Sequence, residues 1–132
     1  MTLVKSFLVT CKKYPRKVAV IDLKGETTYD ALLKEAEACA CLVQSNETGK
    51  NIGILLINCK EFVSAFYGIL MAGKTPVPLN FLLSPAQLHF VIQNADINTV
   101  FTTNLFKPHL DGNVSHIILT EEIAFNTSLK DR

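Results

Sequence analysis

The strongest hydrophobic pattern in the chain lies between Asn51 and Asn80. Ile52–Ile57 is an apolar run that is interrupted only by Gly53. Such a run is typical of a strand covered on both faces, as in a parallel sheet between helices. Apolar residues then recur at spacings of three and four, which predicts a buried helix ending near Gly73. Thr75–Leu79 follows as a second strand, so the pattern predicts a right-handed βαβ unit.

Individual residues indicate where this unit starts and stops. Asn58 occupies the position expected for the N-cap of the helix, and Glu61 follows three residues later, which is a variant of the capping box. Gly73 suits the left-handed conformation that ends many helices. Pro76 and Pro78 lack N–H groups on the same side of the second strand. We therefore expect that strand at an edge of the sheet or beside a bulge.

Gly68–Thr75 reads GILMAGKT and matches the phosphate-binding pattern G-x-x-x-x-G-K-[ST]. In a nucleotide site, Lys74 would bind the β- and γ-phosphates and Thr75 would bind magnesium. A phosphate loop, however, follows a strand and opens a helix, so that free amides point at the anion. This match closes a predicted helix and precedes Thr-Pro-Val-Pro. We predict a capped helix end, with a stand-alone nucleotide-binding α/β protein as the alternative.

Further helices and strands are predicted on both sides of the central unit. They are a helix over Thr2–Lys13 with Leu3, Val4, Phe7, Leu8 and Cys11 on one stripe, a hairpin of strands Val18–Leu23 and Glu26–Thr28, a helix from Thr28, a helix opened by Ser84, and strands over Thr99–Thr103 and Val114–Leu119. The alternation predicts one α/β domain over residues 1–132, with a largely parallel sheet, βαβ units and an N-terminal β-hairpin. Residues 120–132 are expected to be a loop or a truncated end.

Two of these helices have informative local sequences. The helix after Thr28 should bury Leu32, Ala36, Cys39, Ala40 and Val43 and leave Lys34, Glu35 and Glu37 mostly outside. In the later helix, Ser84 provides a cap, Pro85 the first helical residue and Gln87 the second half of a capping box.

Composition narrows the possible classes of protein. The chain has 132 residues, of which 48% are hydrophobic and 19% charged, with a formal charge of +1. This describes a core-rich globular chain without a signature of disorder, and it gives no support for nucleic-acid binding. No apolar stretch approaches the roughly 18 residues of a membrane span, and the first residues lack the features of a signal peptide.

The candidate chemistry in the sequence is sparse. Cys11, Cys39, Cys41 and Cys59 form no C-x-x-C pair, so we expect buried free thiols and a reducing, cytoplasmic compartment. The three histidines are scattered, no Gly-x-Ser-x-Gly turn is present, and no G-x-G-x-x-G follows a strand. A second alternative is a non-catalytic α/β module that binds a partner through the exposed edge beyond Pro76 and Pro78.

Several segments in order resemble one family. These segments are Tyr14–Val20, Thr28–Leu32, Asn51–Phe62, Ala65–Leu79 and Ser84–Thr103. Together they resemble the N-terminal region of the adenylate-forming (AMP-binding) acyl-CoA synthetase superfamily, in particular long-chain fatty acid–CoA ligases. The resemblance implies a longer parent enzyme that uses Mg-ATP to convert a carboxylic acid, here a fatty acid, into an acyl-adenylate. Coenzyme A, or a carrier-protein thiol, then accepts the acyl group.

The resemblance assigns no catalytic, cofactor-binding or metal-binding residue to this chain. The family's Ser/Thr/Gly-rich phosphate loop, its later Thr-Glu motif, its ribose-binding aspartate and its C-terminal lysine have no counterpart here. The resemblance therefore implies an N-terminal lobe with no adenylation activity or bound cofactor of its own. Such a lobe should expose apolar surface on which the remainder of its own enzyme packs.

Overall fold

The computed structural model describes residues 2–46 and 48–130. Over these residues the helices are α1 (Thr2–Lys13), α2 (Tyr29–Gln44), α3 (Lys60–Met71), α4 (Pro85–Asn94) and α5 (Thr120–Lys130). The strands are β1 (Val18–Asp22), β2 (Gly25–Thr28), β3 (Asn51–Leu55), β4 (Thr75–Pro78), β5 (Ile97–Thr102) and β6 (His116–Leu119). A short 3₁₀ helix covers Lys107–Leu110. Each helix and strand predicted before Thr120 is present, with small shifts at its ends.

The strands form two sheets. β4, β3, β5 and β6 lie in that order in a parallel sheet, and β1 pairs with β2 in a separate antiparallel hairpin. The predicted α/β class with a parallel sheet and an N-terminal hairpin is confirmed. The strand that contains Pro76 and Pro78 is β4, which lies at an edge of the described sheet as predicted.

Helices cover both faces of the parallel sheet, and strand side chains alternate between two apolar clusters. α2, α3 and α5 cover the first cluster, which includes Cys39, Val43, Ile52, Ile54, Ala65, Ile69, Phe101, Ile118 and Ile123. α4 and the 3₁₀ helix cover the second, which includes Leu55, Leu79, Leu88, Ile92, Ile97, Val100 and Leu110. This placement explains why β3 is apolar at almost every position.

Local sequence signals set several helix ends, and those at Ser84 and Gly73 were predicted. Thr28 caps α2 by accepting a hydrogen bond from the Ala31 N–H at 3.2 Å. Ser84 and Gln87 form a complete capping box at the start of α4. Gly73 has a φ of +79°, the left-handed conformation that closes α3. These signals are reliable because each is completed within a few residues of chain.

The predicted stripe of α1 is only partly correct. Phe7 and Cys11 are buried at 6% and 2% exposure, and the Phe7 ring stacks on Tyr67 of α3 with centroids 4.0 Å apart. Leu3 and Leu8, predicted on the same stripe, are 43% and 39% exposed. The buried contact of α1 is therefore narrower than the apolar pattern indicates.

The loop expected over residues 120–132 is wrong for its described part, because the chain forms α5 over Thr120–Lys130. Residues 131 and 132 lie outside the described residues. The Glu122 carboxylate accepts a hydrogen bond from the Leu119 N–H at 2.8 Å, and Glu121 adds a second negative charge in the first turn. Ile123 is 1% exposed and belongs to the apolar cluster beneath α2 and α3. Because α5 packs through so few apolar residues, its sequence shows no clear helical periodicity of apolar positions.

Among the described residues, no helix has both the length and the apolar character needed to cross a bilayer.

Candidate functional site

The carboxyl ends of β3 and β5 form the place where α/β sheets usually bind ligands. The chain leaves β3 toward α3 on one face and leaves β5 toward the 3₁₀ helix on the other, so the connections diverge. The buried Thr102 hydroxyl donates a hydrogen bond of 2.7 Å to the Leu55 carbonyl at this point. On the α5 side, the Asn104 amide donates to Glu121 at 3.0 Å. None of these three side chains offers a cation to an anionic ligand.

An ion pair between a half-buried lysine and a buried glutamate joins α2 to α3 nearby. Lys60 Nζ lies 2.9 Å from one oxygen of Glu35, and the Ser64 hydroxyl donates to the other at 3.2 Å. Glu35 is only 7% exposed, so the prediction that it lies mostly outside is wrong. Its position three residues after Leu32 and four before Cys39 places it on the inner face of α2. Helical spacing could have located Glu35, although its charge argued for solvent.

The N-terminus of α3 is capped from the hairpin and not by Asn58. Cys59 occupies the N-cap position without a side-chain hydrogen bond, and Asn58 is exposed. Instead, the Asp22 carboxylate accepts from the Lys60 N–H at 3.0 Å and from the Lys24 N–H at 2.9 Å. The prediction of an Asn58 cap is therefore wrong, because a carboxylate distant in sequence supplies the acceptor and adds a favourable charge at the helix terminus.

Glu61, predicted as part of the capping box, has a different partner. It is 8% exposed, and its carboxylate lies 3.6 Å from Nζ of Lys24 on the hairpin turn. Glu35, Lys60 and Glu61 also line one wall of a cavity of about 280 Å³, whose opposite wall is α5. Two lysines oppose the two carboxylates, so the described residues of this wall present no unbalanced cation to a phosphate.

Local contacts perturb the ionisation of several of these groups. The hydrogen bond from the Lys60 amide, joined by the one from Lys24, lowers the pKa of Asp22. The hydrogen bond to Glu35 raises the pKa of Lys60. Burial raises the pKa of the Cys59 thiol and of the Cys39 thiol. Both thiols therefore stay protonated at neutral pH and are poor nucleophiles.

Replacing Asp22 with asparagine should lower the thermal midpoint at neutral pH, because a neutral amide has one oxygen for two backbone donors. The pKa of Asp22 is lowered in the folded state. The stability from its ionised form is therefore present above the unfolded value of about 3.9 and is lost as the pH falls through the folded value. Midpoints of the parent and the variant should converge below about pH 4. A gap that persists at low pH, or an equal effect of Asp111→Asn, would contradict this cap.

Gly68–Thr75, the segment that matches the phosphate-binding pattern, offers no free backbone amides to a phosphate at Gly73 and Lys74. Gly68 is inside α3, against α2. The Gly73 N–H donates to the Leu70 carbonyl and the Lys74 N–H to the Ile69 carbonyl, both at 3.0 Å. This pair of bonds closes the C-terminus of α3 and uses the amides that a nucleotide would need. The described residues of this segment do not fit Mg-ATP.

The cysteines are all free, but they are not all buried. Cys11 and Cys39 are buried, whereas Cys41 is exposed and Cys59 is half-buried. The prediction of buried thiols is wrong for Cys41, because it lies two residues after Cys39 and so points away from the core. Within residues 2–46 and 48–130, no group of three or more His, Cys, Asp or Glu side chains could hold a metal ion.

Comparison with known proteins identifies the family to which this fold belongs. The family model described as AMP-binding enzyme matches residues 7–131. The chain belongs to the AMP-binding enzyme family. It is 28% identical over 98 residues to a long-chain-fatty-acid–CoA ligase of Bacillus subtilis (strain 168), covering 73% of this chain and 18% of the relative. It is 26% identical over 117 residues to a long-chain-fatty-acid–CoA ligase of Haemophilus influenzae, covering 83% of this chain and 21% of the relative.

A solved structure has the same fold as this chain. The N-terminal domain of FACL13 from Mycobacterium tuberculosis superimposes with a TM-score of 0.84 at 21% identity, covering 95% of this chain and 35% of that one. The family match, the two curated relatives and this shared fold together confirm the resemblance to the N-terminal region of the acyl-CoA synthetase superfamily. The chain spans about a fifth of the length of the two curated relatives, at 18% and 21%.

Proposed function

We propose that this chain is the N-terminal part of an ATP-dependent carboxylic acid–CoA ligase whose substrate is a fatty acid. The observation that carries the proposal is the AMP-binding family match over residues 7–131. The names of the two curated relatives, both long-chain-fatty-acid–CoA ligases, favour a fatty acid within that family.

The proposed reaction has two steps. The substrate carboxylate attacks the α-phosphorus of ATP, which forms an acyl-adenylate and releases pyrophosphate. A thiol, which we propose to be that of coenzyme A, then attacks the acyl carbon and AMP leaves. Adenylation replaces a poor leaving group with a good one. Mg-ATP and coenzyme A are substrates of the whole enzyme in this proposal, and neither is expected to bind the 132-residue chain alone.

The role proposed for this chain is to provide a rigid lobe. Its parallel sheet is covered on both faces, and the Glu35–Lys60 pair ties α2 to α3. Exposed apolar residues include Leu82 at 79%, Phe90 at 69% and Leu105 at 75%. We propose that the remainder of the enzyme packs on part of this apolar surface. Four free cysteines support the reducing cytoplasm as its compartment.

The test is pyrophosphate exchange into ATP that depends on an added acid. We expect the product of the complete reading frame to catalyse exchange with fatty acids and not with amino acids. The 132-residue chain alone should give no exchange above background. Acids of short, medium and long chains should be compared in the same assay. Exchange that requires an amino acid, or none with any fatty acid, would contradict the proposed substrate.

Calorimetric titration of the 132-residue chain with Mg-ATP provides the control for the phosphate pattern. We expect no binding heat with the parent chain or with Lys74→Ala. Binding by the parent that disappears in Lys74→Ala would instead support the stand-alone nucleotide-binding protein and overturn the proposed lobe.

A further inference from the structure

The first helix and the turn that follows it form a strongly basic surface. Five cationic residues lie in this stretch, and all are exposed: Lys5, Lys12, Lys13, Arg16 and Lys17. The first acidic residue of the chain is Asp22. Because the whole chain has a formal charge of only +1, this concentration of cations is a local feature.

Exposed apolar side chains share this surface with the cations. Phe7 and Cys11 fix the inner face of α1 against the protein. On the outer face, Leu8 and Val9 are 39% and 56% exposed, and helical spacing places them among the three lysines of α1. We call Lys5, Leu8, Val9, Lys12 and Lys13, together with Tyr14, Arg16 and Lys17, the basic α1 surface.

The cations of the basic α1 surface have few partners within the described part of the protein. Across the described residues, none of its five cations forms an ion pair with a carboxylate. Nζ of Lys13 and Nζ of Lys17 lie 5.4 and 5.2 Å from the centre of the Tyr14 ring, which is itself 43% exposed. The surface thus presents cations, aliphatic groups and an aromatic ring to solvent at once.

We propose that the basic α1 surface binds anionic phospholipid membranes. Cations near such a membrane are attracted by its negative surface potential. Leu8 and Val9 can enter the boundary between headgroups and acyl chains, where Tyr14 is also favoured. A nucleic acid would use the cations but would gain little from the exposed aliphatic groups. The helix would lie on the membrane without crossing it, and the proposal is independent of the proposed ligase activity.

Co-sedimentation with vesicles tests the proposal. The chain should bind phosphatidylcholine vesicles that contain about 30 mol% phosphatidylglycerol and should not bind pure phosphatidylcholine vesicles. Binding should weaken as salt is raised. The triple variant Lys5→Gln/Lys12→Gln/Lys13→Gln should reduce the partition coefficient by about tenfold or more, because each cation contributes separately to the attraction. Glutamine keeps the helix propensity of lysine, so α1 should remain folded by circular dichroism.

Matched variants separate this surface from a general effect of charge. Lys50→Gln/Lys74→Gln/Lys107→Gln removes the same charge elsewhere and should change the partition coefficient by less than about twofold. Leu8→Gln/Val9→Gln should weaken binding while the salt dependence remains. Equal losses in both triple variants, or no binding to anionic vesicles, would overturn the proposal. Binding to homopolymeric RNA without vesicle binding, with loss in the first triple variant, would assign the surface to nucleic acid instead.

Discussion

Replacing Gly68 with alanine should destabilise the fold by about 2–4 kcal/mol, although alanine is the better helix former by about 1 kcal/mol. Gly68 lies where α3 packs directly against α2. A Cβ at this position would collide with Cβ of Cys39 and would lie 2.6 Å from the Ala36 carbonyl oxygen. A backbone carbonyl cannot rotate away as a flexible side chain can, so the helices would have to separate.

Urea denaturation of the parent and of Gly68→Ala measures this loss as a shift in the midpoint, provided that the free energy of unfolding falls with urea at the same slope in both proteins. Gly49→Ala is the matched control, since its added Cβ would meet Asn98 side-chain atoms no closer than 3.5 Å. We expect a change of less than about 1 kcal/mol for that control. An unchanged or higher midpoint for Gly68→Ala would show that α2 and α3 are not packed as closely as the structure places them.

The same glycine explains the phosphate-like pattern. The pattern needs two glycines, and this chain has Gly68 and Gly73 for two separate reasons. Gly68 permits close helix contact, and Gly73, with a φ of +79°, closes the helix. The match to the phosphate-binding pattern therefore arises from helix packing and helix capping. The prediction of a capped helix end was correct.

Features fixed by short-range physics could be predicted from the sequence. The apolar run of β3, the proline-containing edge strand β4 and the Ser84 capping box each follow from residues close together in the chain. The order of strands and helices then limited the fold to a parallel α/β sheet. The ordered segments also pointed to the family, because they span most of the fold.

Features set by distant residues could not be predicted in the same way. Asp22 replaces Asn58 as the cap of α3 because the hairpin folds back onto that helix terminus. Glu35 is buried because Lys60 and Ser64 arrive from another helix. α5 depends on one well-buried residue, Ile123, and on a cap from Glu122. In each case the partner lies on another element or outside a regular pattern. The sequence analysis therefore missed the polar cluster at the candidate site, because the charge of Glu35 was weighed above its helical spacing.

Replacing Lys60 with methionine should destabilise the protein by about 2 kcal/mol at neutral pH. The change leaves the Glu35 carboxylate, whose side chain is 9% exposed, without its cation at 2.9 Å. Loss of one partner from a fully buried pair costs about 3–5 kcal/mol, and we expect less here because the Lys60 side chain is 30% exposed to screening solvent. Lys34→Met is the matched control. Lys34 pairs with Asp30 at 3.8 Å on the outside of α2, and its removal should cost about 0.5 kcal/mol or less.

Two further measurements distinguish an ion pair from simple packing by the lysine stem. The double variant Glu35→Leu/Lys60→Met should recover most of the lost stability, because no buried charge remains. The Ser64 hydroxyl keeps an acceptor in the carbonyl of residue 60, which lies 2.9 Å away in the parent.

The pH dependence is the second measurement. The pKa of Lys60 is raised by its hydrogen bond to Glu35. Its stabilising contribution is therefore complete below the unfolded value of about 10.4 and is lost as the pH rises through the folded value. The gap between the parent and Lys60→Met should be constant from neutral pH to about pH 10 and should shrink above it. A double variant less stable than Lys60→Met, or a gap that is unchanged at higher pH, would mean that the lysine acts through its aliphatic stem and that the charge pair does not hold α2 to α3.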